Sequence, residues 1–181
     1  YGEVEDFFRP GHPGVCFPNM LQAPATTPSK PASRELLGLP ADAFVIGNAG
    51  WLIQRKAFDV FLQVAALVRQ RIPDAVFAIA GDGAERENLE RLADSLQLSD
   101  AVHFLGWQKD LEPVYAALDI LLFNSHFDCL PTTPLEAMVR EIPVVCSLAN
   151  GGLKEVLRHG QDGFLIDRHD AQELADEVVR L

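Results

Sequence analysis

From Phe44 onward the chain alternates between two kinds of apolar pattern, and that alternation limits its fold more than any other feature. Six short apolar runs stand at 45–49, 75–80, 102–105, 120–123, 143–147 and 163–166. Their apolar residues are consecutive rather than alternate, as expected for strands covered on both faces. Between most of them the period changes to that of a helix. Phe58, Phe61, Leu62, Ala65 and Val68 share one helical face. Leu89, Leu92, Ala93 and Leu96 form a second, with Glu85, Arg86, Glu90 and Arg91 off that stripe. Leu111, Val114, Tyr115 and Leu118 form a third. Asp170 is placed to cap a last helix, with Glu173 at the capping-box position and Ala171, Leu174, Ala175 and Val178 as its apolar side. Six strands alternating with helices specify an α/β fold with a mostly parallel sheet. Ligands of such sheets bind outside the carboxyl ends of the strands. Function is therefore expected in the loops after Ala49, Ala80, Leu105, Phe123 and Ser147.

A length of 181 residues fits one domain. Residues 1–40 differ from the rest, because they hold prolines 10, 13, 18, 24, 28, 31 and 40. Proline fixes φ and removes a donor, so this stretch is expected to be an extended, turn-rich lead-in between domains. Within it, residues 15–21 read as a short strand and residues 22–33 as a surface loop. The first residue is Tyr1 rather than Met, which leads us to expect a piece of a longer protein that lacks an N-terminal part.

A net charge of −11 argues against nucleic-acid backbones as partners, since these require clustered Lys and Arg. It leaves room for one small phosphate pocket. Cys16, Cys129 and Cys146 are widely spaced and odd in number, which fits neither a disulfide framework nor a zinc site. A reducing, cytoplasmic setting is expected. No apolar run approaches the roughly 20 residues that span a bilayer.

The strand ends exclude several ligand motifs. The first run leads into Gly47-Asn-Ala-Gly50 and Trp51, which lacks the glycine spacing of a dinucleotide turn. There is no P-loop, no serine nucleophile elbow and no His pair spaced for a metal. Other features remain. Arg55 and Lys56 stand at an expected helix start, where backbone N–H groups favour an anion; two surface cations are the simpler reading. Gly81-Asp-Gly83 lets the backbone turn tightly or approach a ligand closely. The richest stretch, 124–138, leads from a strand into a helix with Thr133 as N-cap, Pro134 at N1 and Glu136 at N3. Glu136 then either closes a capping box with Thr133 or accepts hydrogen bonds from paired ribose hydroxyls, and spacing alone favours the cap.

These landmarks resemble the C-terminal domain of GT-B fold glycosyltransferases of family 4, the group 1 transferases. The resemblance spans 44–181 and includes Phe17-Pro-Asn19. It rests on the stretch from Gly50 to Lys56, Ala80-Gly-Asp-Gly-Ala-Glu-Arg86, His103-Phe-Leu-Gly106, residues 116–125, Leu135-Glu-Ala-Met138, Pro143-Val-Val145, and Gly151, Gly152, Glu155 and Asp162-Gly163 in order. It implies a Rossmann-like, three-layer nucleotide-sugar-binding domain over 41–181. It also implies a retaining, metal-independent transferase whose acceptor is held by a further N-terminal domain. The donor is a UDP- or GDP-linked sugar, and no separate cofactor is implied. Lys56, Arg55 and Asp128 are the implied catalytic residues. Gly50, Gly81, Gly83, Gly106, Trp107, Leu130, Pro131, Thr132, Thr133 and Glu136 are the implied donor-binding residues, with Glu136 on the ribose. No metal site is implied, and any membrane association belongs to the part outside this chain.

Three positions depart from the family pattern. Its Glu-(seven residues)-Glu motif has Asp128 at the first position, eight before Glu136. Trp51 stands where an Arg follows the glycine, and Arg55 is the candidate substitute. Glu141 stands where a Gly is usual. A sugar-nucleotide epimerase of the same architecture and a non-catalytic nucleotide-binding module are the alternative readings.

Overall fold

The computed structural model describes residues 21, 24, 26–147, 152–166 and 169–181. The strand read over 15–20, the Phe17-Pro-Asn19 segment and Gly151 lie outside them. Six strands form one parallel sheet: β1 (Val45–Ala49), β2 (Val76–Ala80), β3 (Val102–Gly106), β4 (Ile120–Phe123), β5 (Val144–Ser147) and β6 (Phe164–Ile166). Their spatial order is β3-β2-β1-β4-β5-β6, with Ile46 opposite Phe77 on one side and Ile120 on the other. Each strand matches an expected run to within a residue at either end.

Successive strand residues alternate between two cores, as the pleat requires. Ile46, Phe77, Ile79, Ile120, Leu122 and Val145 face α2 (Phe58–Arg69), α3 (Arg86–Ser95) and α7 (Ala171–Arg180). Val45, Val76, Ala78, Leu121, Phe123, Val144 and Cys146 face the other way, against α4 (Glu112–Ala117), α5 (Thr132–Met138) and α6 (Leu153–Val156). The result is the expected three-layer, Rossmann-like α/β domain. The cap of α7 forms as expected, with the Asp170 side chain accepting from the amides of Gln172 and Glu173. Cys146 is buried in β5, Cys129 is exposed, and both thiols are free. No helix among the described residues is long and apolar enough to cross a membrane.

One element corrects the reading of the lead-in. The loop expected over 22–33 gives way to a helix, α1 (Lys30–Leu37). Ser29 caps it by accepting from the Ala32 amide. Pro31 sits in the first turn, where its missing N–H has no helical partner, and Gly38 closes the helix with φ 67°. A proline count obscured a complete set of helix boundary signals.

The polar anchors of this helix lie at the amino ends of β1 and β4. Buried Arg34 donates to the carbonyls of Ala117 (3.1 Å) and Ala41 (2.6 Å) and to Asp119 Oδ2 (2.7 Å). The same carboxylate accepts from Lys30 Nζ (2.6 Å) and from the Val45 amide at the start of β1 (2.8 Å). Burial pushes the Asp119 carboxyl up, but the Lys30 and Val45 hydrogen bonds and the charges of Lys30 and Arg34 outweigh it, and the net shift is downward. A depressed folded pKa stabilises the fold above the unfolded value of about 4, and that contribution is lost as pH falls through the folded value.

Replacing Arg34 with Met would strand the buried Ala117 carbonyl, release that of Ala41 and weaken Asp119. We expect a loss of about 3 kcal/mol, seen as a Tm lower by roughly 6–12 °C. An unchanged Tm would mean that α1 docks through its apolar residues alone.

Candidate functional site

The loops after β1, β2 and β3 lie against one another, and their glycines are explained by that contact. The Gly50 amide donates to Ala80 O, Leu52 N to Asp82 O, Glu85 N to Leu52 O, and Gly81 N to Gly106 O, all at 2.8–2.9 Å. At Gly81, with φ 144°, a Cβ would stand 1.8 Å from Gly50 O. At Gly83 it would stand 2.4 Å from Leu52 O. Close packing of loop on loop, rather than approach to a ligand, therefore excludes a side chain at both positions.

The second wall is built by the β1–α2 turn and the β4–α5 loop. Arg55 and Lys56 were expected to open a helix. They occupy instead a single 3-10 turn, Gln54–Lys56, followed by Ala57 in the left-handed region at φ 50°. An alanine there is strained by about 1 kcal/mol, and its surroundings must hold it. The β4–α5 loop does so. The Asn124 side-chain amide donates to Ala57 O, the Ser125 hydroxyl to Arg55 O (3.0 Å), and the His126 amide to the same carbonyl (2.9 Å).

This turn fixes the two cations. Lys56 Nζ lies 5.7 Å from the centre of the Phe123 ring and donates to Asp128 Oδ2 at 2.6 Å. Arg55 donates to Phe127 O at 2.7 Å and stands 3.5 Å from the same Asp128 oxygen. Asp128 thus sits behind Lys56 as its counter-ion. Arg55 braces the loop.

At the start of α5 the structure removes one of the two readings of Glu136, the capping box. Thr133 is not the cap: Pro131 holds that position, Thr132 is the first helical residue and Glu136 the fifth. The Thr133 hydroxyl points across the sheet end to Ala49 O (3.3 Å). Pro134 is tolerated because the first-turn N–H groups lack helical partners. No capping box forms. The Glu136 carboxylate accepts instead from the Tyr115 hydroxyl at 2.5 Å.

Between the walls lies an open cleft of about 650 Å³. Of the residues singled out in the sequence, Gly50, Lys56, Gly81, Gly83, Trp107, Thr132, Thr133 and Glu136 line it. Arg55, Asp128, Gly106, Leu130 and Pro131 lie outside its wall. Gly106 ends β3 with φ 69°, and Leu130 packs beside Gly152. The cleft adds Trp51, Asp82, Gln108 and Leu111, none of which was expected as a lining residue. Trp51 and Trp107 are 71% and 69% exposed, so two indoles flank the opening. Among the described residues its wall carries one cation, Lys56, and two carboxylates, Asp82 and Glu136. Among the described residues no cluster of three or more His, Cys, Asp or Glu could hold a metal ion.

The fold is a doubly wound α/β domain with a cleft at the carboxyl ends of its strands, and the comparisons specify the family. The family model "Glycosyl transferases group 1" matches residues 29–181. The chain belongs to this family. The lipopolysaccharide core biosynthesis glycosyltransferase LpsE of Rhizobium meliloti is 34% identical over 148 residues, 82% of this chain and 42% of that protein. The chain therefore spans less than half the length of such relatives. Anabaena Alr3699/HepE, solved with UDP and glucose, superposes with a TM-score of 0.71 at 30% identity, over 83% of this chain and 41% of that one. The C-terminal domain of a group 1 family protein, LpcC of Francisella tularensis, superposes with a TM-score of 0.74 at 23% identity, over 84% and 82% of the two chains. That last likeness shows the fold.

The loop contacts make a direct prediction. Gly81→Ala is expected to cost about 3 kcal/mol or more, because the new methyl meets backbone that cannot move aside. Gly160→Ala, which has φ 77° but no atom within 4 Å of the new Cβ, is expected to cost only about 1–2 kcal/mol. Denaturant melts of the two variants compare them; equal losses would show that conformation rather than contact requires Gly81.

Proposed function

We propose that this chain is the donor-binding part of a glycosyltransferase, with a nucleoside-diphosphate sugar bound in the cleft between the β1–β3 loops and α5. One observation carries the reading: a lysine and a glutamate that forms no helix cap both line one cleft at the carboxyl ends of β1 and β4. This is the point where the strand order reverses. Glu136 accepts from the ribose hydroxyls, Lys56 meets the diphosphate, and an indole, Trp107, flanks the base. A UDP-linked donor is favoured over a GDP-linked one because UDP occupies the HepE relative.

As the bond between the sugar C1 and the diphosphate oxygen breaks, negative charge builds on the leaving group. A fixed ammonium stabilises that charge without reorganising, which is where such sites gain most of their rate. Lys56 is suited to this because Phe123 lies below it and Asp128 holds it from behind. An ammonium has three donors, so the Asp128 bond leaves others for phosphate. Asp128 reaches a donor-sugar hydroxyl only if that pair opens. The reading assigns no metal and no separate cofactor, retention of anomeric configuration, and an acceptor held by a further domain outside these 181 residues. Closure of that domain would exclude water and complete the site. By itself this chain is expected to bind nucleotide and not to transfer sugar. The free thiols of Cys129 and Cys146 fit a cytoplasmic setting.

The chain's two tryptophans both line the cleft, which gives an intrinsic probe. Titration with UDP, GDP and ADP is expected to change their fluorescence saturably for one nucleotide. Lys56→Ala should weaken that binding about 10–100-fold, the loss of a charge-assisted hydrogen bond, and Glu136→Ala should weaken it about as much, since a carboxylate that accepts from the ribose is lost. No response at millimolar nucleotide, or an unaltered response in Glu136→Ala, would refute the reading.

A further inference from the structure

We infer that Tyr115 is a positioning residue for Glu136: its buried hydroxyl fixes the carboxylate in the rotamer that meets the ribose. The inference rests on the reading that Glu136 binds the ribose hydroxyls, and it adds what sets the orientation of that carboxylate.

Tyr115 lies on the buried side of α4 and is 1% exposed. Its hydroxyl donates to Glu136 Oε2 at 2.5 Å, within the short range of O–H···O⁻ bonds. Burial, together with the adjacent carboxylate, pushes the phenol far above its ordinary pKa, so it stays a neutral donor. One bond occupies one of roughly four acceptor positions on a carboxylate. The other oxygen has capacity for a ligand, and Glu136 lines the cleft.

The tyrosine is itself held. The Arg140 guanidinium lies 4.8 Å from the centre of its ring. Arg140 also donates to the Glu136 backbone carbonyl (2.6 Å) and pairs with both oxygens of Glu112. The residues α4 and α5 contribute are thus joined at two levels: Arg140 grips the backbone of Glu136, and Tyr115 its carboxylate. A glutamate side chain that must be ordered by its ligand loses rotamer freedom worth up to about 2 kcal/mol. A side chain ordered beforehand makes its contacts without that loss. The loss would be felt wherever the carboxylate meets its partner, and nowhere else in the nucleotide.

A pair of ligands that differ by one ribose hydroxyl isolates this effect. The probes are UDP and 2′-deoxy-UDP, or the GDP pair if GDP is the nucleotide bound, titrated against the wild type, Tyr115→Phe and Glu136→Ala. The wild type is expected to prefer the ribonucleotide about tenfold or more. Tyr115→Phe should weaken ribonucleotide binding about tenfold and the deoxynucleotide, which keeps only its 3′-hydroxyl for Glu136, by a clearly smaller factor, so that the preference shrinks. A structural role alone would weaken both ligands equally. Preference retained in Tyr115→Phe but lost in Glu136→Ala would overturn the positioning role and leave the ribose reading standing. Preference retained in Glu136→Ala, or no binding of either nucleotide, would overturn both. Glu112→Gln, which loosens Arg140 without altering Tyr115 or Glu136, gives a second variant should the first fold poorly. It is expected to reduce the preference by a smaller factor, and an unchanged preference in it would count against the inference.

Discussion

The reversal of strand order between β1 and β4 is the constraint on which the rest depends. Every strand runs the same way, so all the following loops emerge at one end of the sheet. Crossovers that place α2 and α3 on one face must be followed by others that place α4 and α5 on the opposite face. The loops after β1 and β4 therefore diverge, and a crevice opens between them. Lys56 enters it from one side and Glu136 from the other. This divergence is what brings the two side chains to a single cleft.

Two kinds of bracing keep the crevice in shape. On the β1–β3 side the backbones touch so closely that glycine is required at Gly81 and Gly83. On the β4 side, Asn124, Ser125 and His126 hold the strained Ala57 turn, and the turn aims Lys56. Asp128 answers the charge of Lys56 from behind while Phe123 supports it from below. The site is thus ordered before any ligand arrives, although the protein as a whole carries a net charge of −11. On the proposed reading, one local ammonium meets phosphate that the general charge would repel.

The sheet was legible because its strands are covered on both faces and so read as continuous apolar runs. β1 and β4 match their expected bounds, and the others shift by one residue at an end. The helix at Lys30–Leu37 was hidden although Ser29, Pro31 and Gly38 mark its boundaries, since proline was read only as a breaker. The site was legible as a set of residues through the family resemblance, and less so as geometry. Thr133 and Glu136 have capping-box spacing, but the helix begins two residues earlier and the Thr133 hydroxyl goes to Ala49. No sequence pattern pairs Tyr115 with Glu136, or Gly81 with Gly50, because those contacts exist only once distant segments are packed. Trp51, noted as the loss of an arginine, stands in the cleft wall beside the opening.

A crystal structure of this chain grown with UDP tests the central claim most directly. The account predicts nucleotide in the cleft, with ribose hydroxyls about 2.7–3.2 Å from Glu136, the diphosphate beside Lys56 Nζ and the base against Trp107. Nucleotide bound elsewhere, or in the cleft with its ribose turned away from Glu136, would contradict it.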